Sequence, residues 1–195
     1  MGRGKLKDPS DALPPTIALD TSFVVKVLNR RDQQHARAYE LYWRLVEEDT
    51  VCALCWPVFQ LEFWFAWDSA VRDLDPSELQ RLTREVRETL TGQGELTLAG
   101  PQPRTAVERR AERLGEGERL LSLLLATLRI VRIRLTNDLL DRSRGLIVGS
   151  GLKPLDAVVG AVALATAQVT GTPPSVATFD NDFRRASGFE IWGLR

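Results

Sequence analysis

The sequence predicts an α/β fold built on a mainly parallel sheet, and three observations carry this prediction. Short apolar runs of strand length alternate with longer segments of helical periodicity, as in folds whose parallel strands are joined by helices. The run at residues 16–19, which follows Pro15, is apolar on both sides and suits a strand in the middle of such a sheet. Residues 155–169 are almost wholly Ala, Val, Leu and Gly, so we expect a helix buried against the sheet.

The first third of the chain contains three predicted helices and a second strand. Pro57 suits the first turn of a helix, because its missing N–H would have no helical partner there. The residues that follow Pro57 are rich in aromatic side chains, which favours a helix with a buried side. We predict helices at residues 23–29, 33–47 and 57–70 and a strand at residues 50–55.

Residues 68–128 are predicted to form a helical insertion within a single domain that spans residues 16–195. Asp75, Pro76 and Glu78 stand in the order of an N-cap, a first-turn proline and an N3 acid, which predicts a helix start. We expect this region to provide a dimer contact or a cap over the substrate. Its other predicted elements are a Gly- and Pro-rich loop at residues 92–103 and two helices at 104–114 and 118–128, separated by residues 115–117.

The last third of the chain contains a predicted edge strand. Along residues 129–135, Arg132 and Arg134 alternate with Ile133 and Leu135, and charges on one side of a strand discourage pairing with other chains. Asn137 or Asp138 is expected to cap the helix that follows, which runs to about residue 146. The remaining predicted elements are the buried helix at 155–169, a strand at 175–178, a short helix at 181–186 and a final strand at 190–192.

The composition predicts one globular domain of the cytoplasm. With 195 residues, 44% of them hydrophobic, the chain is long enough for a core, and no apolar run approaches the roughly 20 residues of a membrane span. Residues 1–15 are charged, contain prolines and lack the apolar stretch of a signal peptide, so we expect a flexible leader. The 26 basic and 26 acidic residues cancel, which leaves a nucleic-acid partner open because a neutral chain can still carry a basic face.

The two cysteines, Cys52 and Cys55, have the C-x-x-C spacing of some zinc and redox sites. A zinc site needs a second pair of ligands, and the only histidine, His35, falls in a polar predicted helix. Free cysteine is commonly a small buried hydrophobe, and the residues around this pair are apolar. We therefore interpret both cysteines as part of the core.

Four acids stand where strands end or where the following helices begin, and each has an ordinary explanation. Asp20 follows the first strand, and a role as a helix cap explains it as well as a functional role does. Glu62 lies on an apolar helix, where a charge is costly unless it is paired or exposed. Asp156 opens the buried helix, and acids favour helix N-termini. Asp180 follows a late strand; one acid there suits a cap, but Asp182 adds a second.

Taken together, these acids predict a metal site. The carboxyl ends of parallel strands share one edge of the sheet, which is where ligands bind in such folds. Two carboxylates about 4 Å apart repel by about 4 kcal/mol at an effective dielectric constant near 20, so a cluster raises its own pKa values or binds a cation. Oxygen ligands select Mg²⁺ or Mn²⁺ over zinc. Such a centre suits hydrolysis of phosphodiester bonds, in which the metal activates a water and neutralises the developing charge.

At these residues the chain resembles the PIN-domain nucleases, and most closely the VapC-type ribonuclease toxins of toxin–antitoxin pairs. The matching pieces occur in the family's order and span most of the chain. They are Leu19-Asp20-Thr21-Ser22, Glu62 on the predicted helix, Leu155-Asp156-Ala157 and Thr178-Phe179-Asp180-Asn181-Asp182-Phe183.

The resemblance implies a parallel sheet of about five strands with the first strand at its centre. It implies a Mg²⁺- or Mn²⁺-dependent endoribonuclease that forms a homodimer and is inhibited by a small antitoxin protein. Asp20, Glu62, Asp156 and Asp180 would be the catalytic metal ligands. Ser22 and Thr178 would orient carboxylates, and Asp182 would be a further ligand or an acid outside the ligand shell.

The chain departs from the family pattern in two places. It is longer than a typical toxin of this type, with the excess around residues 68–128, and Phe179 replaces the usual Asn. Alternatives to a toxin are a housekeeping RNA-processing nuclease and a catalytically silent PIN-like module that binds RNA or protein. A haloacid-dehalogenase-type phosphotransferase is disfavoured, because it needs a second Asp where this chain has Ser22.

Overall fold

A six-stranded sheet, in which every pair of neighbouring strands is parallel, forms the centre of the computed structural model, which describes residues 3–92 and 105–193. The strand order is β1-β6-β5-β2-β3-β4. The predicted α/β fold is therefore confirmed, with β2 inside the sheet and β4 at one edge, as predicted. The strands are β1 (Lys5–Leu6), β2 (Thr16–Leu19), β3 (Val51–Leu54), β4 (Arg129–Arg132), β5 (Ser175–Ala177) and β6 (Glu190–Trp192).

Seven α-helices lie in the described part of the chain, and they divide between two hydrophobic clusters. Ile17 and Leu19 of β2 contribute to the cluster formed with α1 to α5, whereas Ala18, between them, contributes to the cluster formed with α6 and α7. The helices are α1 (Thr21–Leu28), α2 (His35–Glu47), α3 (Trp56–Val71), α4 (Pro76–Thr91), α5 (Ala106–Thr127), α6 (Asn137–Ser150) and α7 (Pro154–Thr170); a 3₁₀ helix spans Asn181–Arg185.

The apolar helix α7 packs closely on the sheet, as its composition predicts. Its residues from Asp156 to Ala163 are all buried. Ala18 and Ala53 of the neighbouring strands β2 and β3 have no exposed surface and belong to the same cluster. Small side chains on both surfaces allow this close approach of α7 to the sheet.

The N-terminal leader differs from the expectation that residues 1–15 are flexible. Lys5–Leu6 forms a sixth strand that pairs in parallel with Glu190 and Ile191 of β6. The side chain of Lys7 lies 3.4 Å from the carboxylate of Glu190. A strand of two residues is too short to produce an alternating pattern. The expectation of a flexible leader therefore rested on the composition of residues 1–15 alone.

The middle region contains one long helix where two were predicted. Helix α5 runs without a break through Gly115, Glu116 and Gly117. Gly117 is required by packing, because a Cβ atom at this position would lie 2.4 Å from the ring of Trp67. The carboxylate of buried Asp68 also accepts a hydrogen bond from Arg113 at 2.9 Å, which ties α3 to α5. The predicted loop at residues 92–103 lies, beyond Gly92, outside the described residues.

Two helix starts test the predicted caps. The capping box of Asp75 and Glu78 is present at the start of α4, as predicted. The prediction that Asn137 or Asp138 caps α6 is wrong: the hydroxyl of Thr136 accepts the hydrogen bond from the backbone N–H of Leu139. Threonine is itself a good N-cap residue.

Both cysteines lie in the core. Cys52 and Cys55 are buried and free, and burial raises the pKa of the Cys52 thiol to about 12. This confirms the interpretation of the pair as core residues.

Within residues 3–92 and 105–193, no single helix is both long and apolar enough to cross a membrane; α6 and α7 reach that length and composition only as a pair bent by 116°.

Candidate active site

The predicted acids lie at the edge of the sheet where β2 and β5 end and α7 begins. Asp20 directly follows β2, Asp180 follows β5 by three residues and Asp156 is in the first turn of α7. Carboxylate oxygens of Asp20, Glu62 and Asp156 all lie within 4.8 Å of one another. A second group with the same spacing contains Asp156, Asp180 and Asp182, so Asp156 is common to both groups.

Hydroxyl groups hold the carboxylate of Asp20. Its Oδ2 atom accepts hydrogen bonds from Ser22 Oγ and, at 2.6 Å, from Thr178 Oγ1. Asp20 occupies the N-cap position of α1, but its side chain makes no capping hydrogen bond, so the helix-cap explanation is wrong. Burial raises the pKa of Asp20 above its ordinary value, and the two hydroxyls partly oppose that effect.

The backbone after β5 continues this hydrogen-bonded network. The backbone N–H of Asp180 donates to Thr178 Oγ1 at 2.9 Å, and that of Phe179 donates to Ser22 Oγ at 3.0 Å. The Phe179 ring is buried and stacks on Phe23, with ring centroids 6.5 Å apart. The loop that carries Asp180 is thus joined to the residues around Asp20.

Glu62 reaches the cluster from α3 and is held by Thr21. The hydroxyl of Thr21, a buried residue, donates a hydrogen bond to Glu62 Oε2 at 3.1 Å. Burial, together with the charges of Asp20 and Asp180, raises the pKa of Glu62 to about 7. A carboxyl group with this pKa is only partly ionised at neutral pH when no cation is present.

Asp156 has a buried carboxylate oxygen that no hydrogen bond compensates. It is 5% exposed, and its Oδ2 atom is buried without a hydrogen-bond partner. Burial first, and then the charges of Asp20, Asp180 and Glu62, raise its pKa to about 7. A buried polar atom without a partner is costly, and functional sites are one place where such atoms occur.

Lys153 neutralises the outer part of the cluster. Its Nζ atom lies 2.8 Å from Asp182 Oδ2 and 3.7 Å from Asp180 Oδ2. The hydrogen bond from Lys153 lowers the pKa of Asp182, in contrast to the raised values at Asp156 and Glu62. Within the part of the chain that the structure describes, Lys153 thus pairs with the outer part of the cluster (Asp180 and Asp182), whereas the inner part (Asp20, Glu62 and Asp156) forms no ion pair.

The inner part fits a hard divalent cation. Its available donors are carboxylate oxygens, which is the donor set that Mg²⁺ and Mn²⁺ prefer. The unpaired Oδ2 of Asp156 and the raised pKa values indicate uncompensated negative charge, which a cation would neutralise.

A comparison with protein-family models decides the family. The model described as PIN domain matches residues 17–188, which is most of the chain. The chain belongs to the PIN domain family. PIN domains are in general nucleases, usually metal-dependent ones, and the acid cluster agrees with this property. No curated protein matches the chain at a significant level.

Two residues that contact the acids were not predicted from the sequence. Thr21 stands between Asp20 and Ser22, and its contact with Glu62 crosses 41 residues of sequence. Lys153 precedes Pro154 and is the N-cap residue of α7, a position that gives no reason to expect contact with acids after β5. Both contacts depend on how α3 and α7 are placed relative to the sheet, which residue order does not specify.

Proposed function

We propose that the protein is a Mg²⁺- or Mn²⁺-dependent endoribonuclease that cleaves RNA phosphodiester bonds at the acid cluster. The observation that supports this most strongly is the meeting of Asp20, Glu62 and Asp156 within 4.8 Å at the carboxyl edge of a PIN domain. Among them, the buried Oδ2 of Asp156 has no hydrogen-bond partner.

Asp20, Glu62, Asp156 and Asp180 would hold the metal. When bound, the metal would polarise the scissile phosphate, activate the attacking water and neutralise the developing negative charge. The protein orients the ligands: Ser22 and Thr178 hold Asp20, and Thr21 holds Glu62. Asp182, paired with Lys153, supports the cluster from outside.

The proposal is tested by incubating purified protein with single-stranded RNA. Cleavage is expected with Mn²⁺ or Mg²⁺ and should stop with EDTA. Asp20→Asn and Asp156→Asn should abolish cleavage and leave the circular-dichroism spectrum unchanged. Asp141→Asn, an exposed acid on α6, is the matched control and should cleave like the wild type. Equal cleavage by the wild type and both site variants would refute the proposed active site.

We further propose that this nuclease is the toxin of a type II toxin–antitoxin pair, acting in the cytoplasm as a homodimer. The support is the likeness of the ordered motifs around Asp20, Glu62, Asp156 and Asp180 to those of VapC-type toxins. Expression of the protein should stop growth, and co-expression of a small protein encoded next to it should restore growth. Normal growth during expression of the active, unpaired protein would refute the toxin role and leave the nuclease activity standing.

A further inference from the structure

The side chain of Arg132 lies over the ring of Trp56 beside the candidate active site. The guanidinium carbon is 4.3 Å from the centroid of the Trp56 ring. Trp56 is the first residue of α3, the helix that also carries Glu62, and Arg132 is the last residue of β4. The ring is partly buried against the hydrophobic cluster, whereas Arg132 is exposed. Trp56 therefore supports a charged group at the protein surface.

The strand register places Arg132 at the edge of the sheet where the acids lie. Arg132 pairs with Leu54 of β3, and the preceding residue of β3, Ala53, pairs with Ala18 of β2. Arg132 is consequently level with Leu19, the residue before Asp20. Two strand spacings separate β4 from β2, which corresponds to about 10 Å along the edge. Arg132 is therefore too far away to join the acid cluster. It is close enough to reach the next nucleotide of an RNA strand bound at the cluster.

The N–H groups of Arg132 are available, whereas Arg129, on the same strand, donates a hydrogen bond to a carboxylate. Among the residues that the structure describes, no carboxylate lies within ion-pair distance of Arg132. Arg129, three residues earlier on β4, lies at the opposite end of the strand and forms an ion pair with Asp49 at 2.9 Å. A guanidinium over an aromatic ring is held by cation–π attraction and keeps its N–H groups for hydrogen bonding.

A polyanionic substrate needs such a cation close to the acids. Phosphates entering an edge with four carboxylates are repelled, and a metal at the inner part of the cluster offsets this repulsion only locally. An arginine beside the cluster attracts the adjacent phosphate, and its planar fork matches two phosphate oxygens. The ring beneath it limits the rotamers of the side chain, which reduces the entropy lost on binding.

We propose that Arg132, supported by Trp56, binds a backbone phosphate of the RNA strand next to the nucleotide that is cleaved. The inference rests on the proposed ribonuclease function and adds a substrate contact to it. The bound RNA strand runs along the carboxyl edge of the sheet, from the acid cluster past the end of β3 to the end of β4. Because the contact is to phosphate, it positions the RNA without reading its bases.

The test compares Arg132→Met with Arg129→Met in the Asp20→Asn background, in which the RNA stays intact. Methionine keeps an apolar stem on Trp56 and removes the charge, so the fold is preserved. Binding of a fluorescein-labelled single-stranded RNA is followed by anisotropy over a range of salt concentrations. Arg132→Met should weaken binding about tenfold, as for loss of a charged hydrogen bond. It should also reduce the slope of log affinity against log salt by about 0.7, whereas Arg129→Met should change neither quantity.

Changes at Trp56 test whether its ring supports the side chain of Arg132. Trp56→Leu keeps an apolar side chain against the core and removes the ring face, so it should weaken RNA binding, but less than Arg132→Met does. Trp56→Phe keeps an aromatic ring and should bind RNA like the parent protein.

In the cleaving wild-type background, Arg132→Met should raise KM and leave kcat nearly unchanged, because the contact is made before and during the reaction.

The outcomes separate this inference from the proposed function. If the wild type cleaves RNA and Arg132→Met binds RNA as tightly as Arg129→Met, the phosphate contact is refuted and the nuclease stands. If Arg132→Met weakens binding with the expected change in salt slope but the wild type never cleaves, the contact is supported and the nuclease is refuted. Equal losses in Arg132→Met and Arg129→Met would indicate a general charge effect and overturn the assignment to Arg132.

Discussion

Replacing Asp156 with asparagine should stabilise the metal-free protein. Its carboxyl group is buried with an unpaired Oδ2, and its pKa rises from the ordinary value of 3.8 to about 7. In the unfolded chain the group ionises near pH 4, whereas in the folded protein it keeps its proton until about pH 7. The folded state therefore binds more protons between these pH values, and wild-type stability falls as the pH rises through this window.

The size of the effect follows from the difference of about three pH units between the two pKa values. At about 1.4 kcal/mol for each unit, the ionised Asp156 costs at most about 4 kcal/mol of unfolding free energy above pH 7. Part of this cost is shared with Glu62, and an asparagine amide must also be buried. We therefore expect Asp156→Asn to gain about 2 kcal/mol at pH 8 and less at pH 5.

The assay is urea unfolding in EDTA at pH 8 and pH 5, followed by circular dichroism. Asp141→Asn is the control, because it removes the same charge from an exposed position on α6 and should change the free energy of unfolding by less than about 0.5 kcal/mol. Added Mn²⁺ should stabilise the wild type and leave Asp156→Asn unchanged, since a ligand of the folded state shifts stability by mass action. An Asp156→Asn variant that is no more stable than the wild type at pH 8, or that gains equally at both pH values, would refute the destabilising effect assigned to the ionised Asp156.

Two further predictions concern α5 and the contact between Thr21 and Glu62. Gly117→Ala should cost about 1–3 kcal/mol in urea unfolding, because its Cβ atom would collide with Trp67. The control Gly115→Ala has open space on the same helix and should gain up to about 1 kcal/mol. Thr21→Val should lower kcat about tenfold by removing the hydroxyl that holds Glu62, and Thr21→Ser should restore it.

Each of these two predictions has a contradicting result. Equal stabilities of Gly117→Ala and Gly115→Ala would show that α5 moves away from Trp67 without penalty. A Thr21→Val variant with the kcat of the wild type would show that the hydrogen bond to Glu62 has no part in the reaction. Thermal unfolding of Thr21→Val, compared with that of Thr21→Ser, separates a loss of fold from a loss of catalysis.

The fold was predictable because hydrophobic periodicity and the residues that begin and end helices and strands agree along most of the chain. The apolar run before Asp20 and the small-residue helix after Pro154 both specify burial on two sides, and they became β2 and α7. The two-residue strand Lys5–Leu6 carries too few residues for a pattern, and its pairing is decided by β6, at the other end of the chain. Helix α5 continues through residues 115–117 because helices tolerate glycine at about 1 kcal/mol each, and packing against Trp67 requires one of them.

The site was predictable as a set of acids at one edge of the sheet, with part of their hydroxyl support. Strand ends and helix starts indicate which edge Asp20, Asp156 and Asp180 occupy, and a parallel sheet brings them together. The contacts of Ser22 and Thr178 with Asp20 agree with what the resemblance implies. The contacts of Thr21 and Lys153 were not predictable, because both residues reach the acids through the orientation of neighbouring helices. The same reason hid the contact of Arg132 with Trp56, since alternation along β4 indicates only that the arginine lies on one side of the strand.

The central claim is that a metal held by this cluster acts on the scissile phosphate, and a sulfur substitution tests it most directly. An RNA is made with one phosphorothioate at the mapped cleavage site, and cleavage rates are compared in Mg²⁺ and in Mn²⁺. Because Mg²⁺ binds oxygen and disfavours the softer sulfur, one diastereomer should be cleaved slowly in Mg²⁺ and regain its rate in Mn²⁺. Equal cleavage of the sulfur and oxygen substrates in both metals would contradict direct contact between the metal and the scissile phosphate.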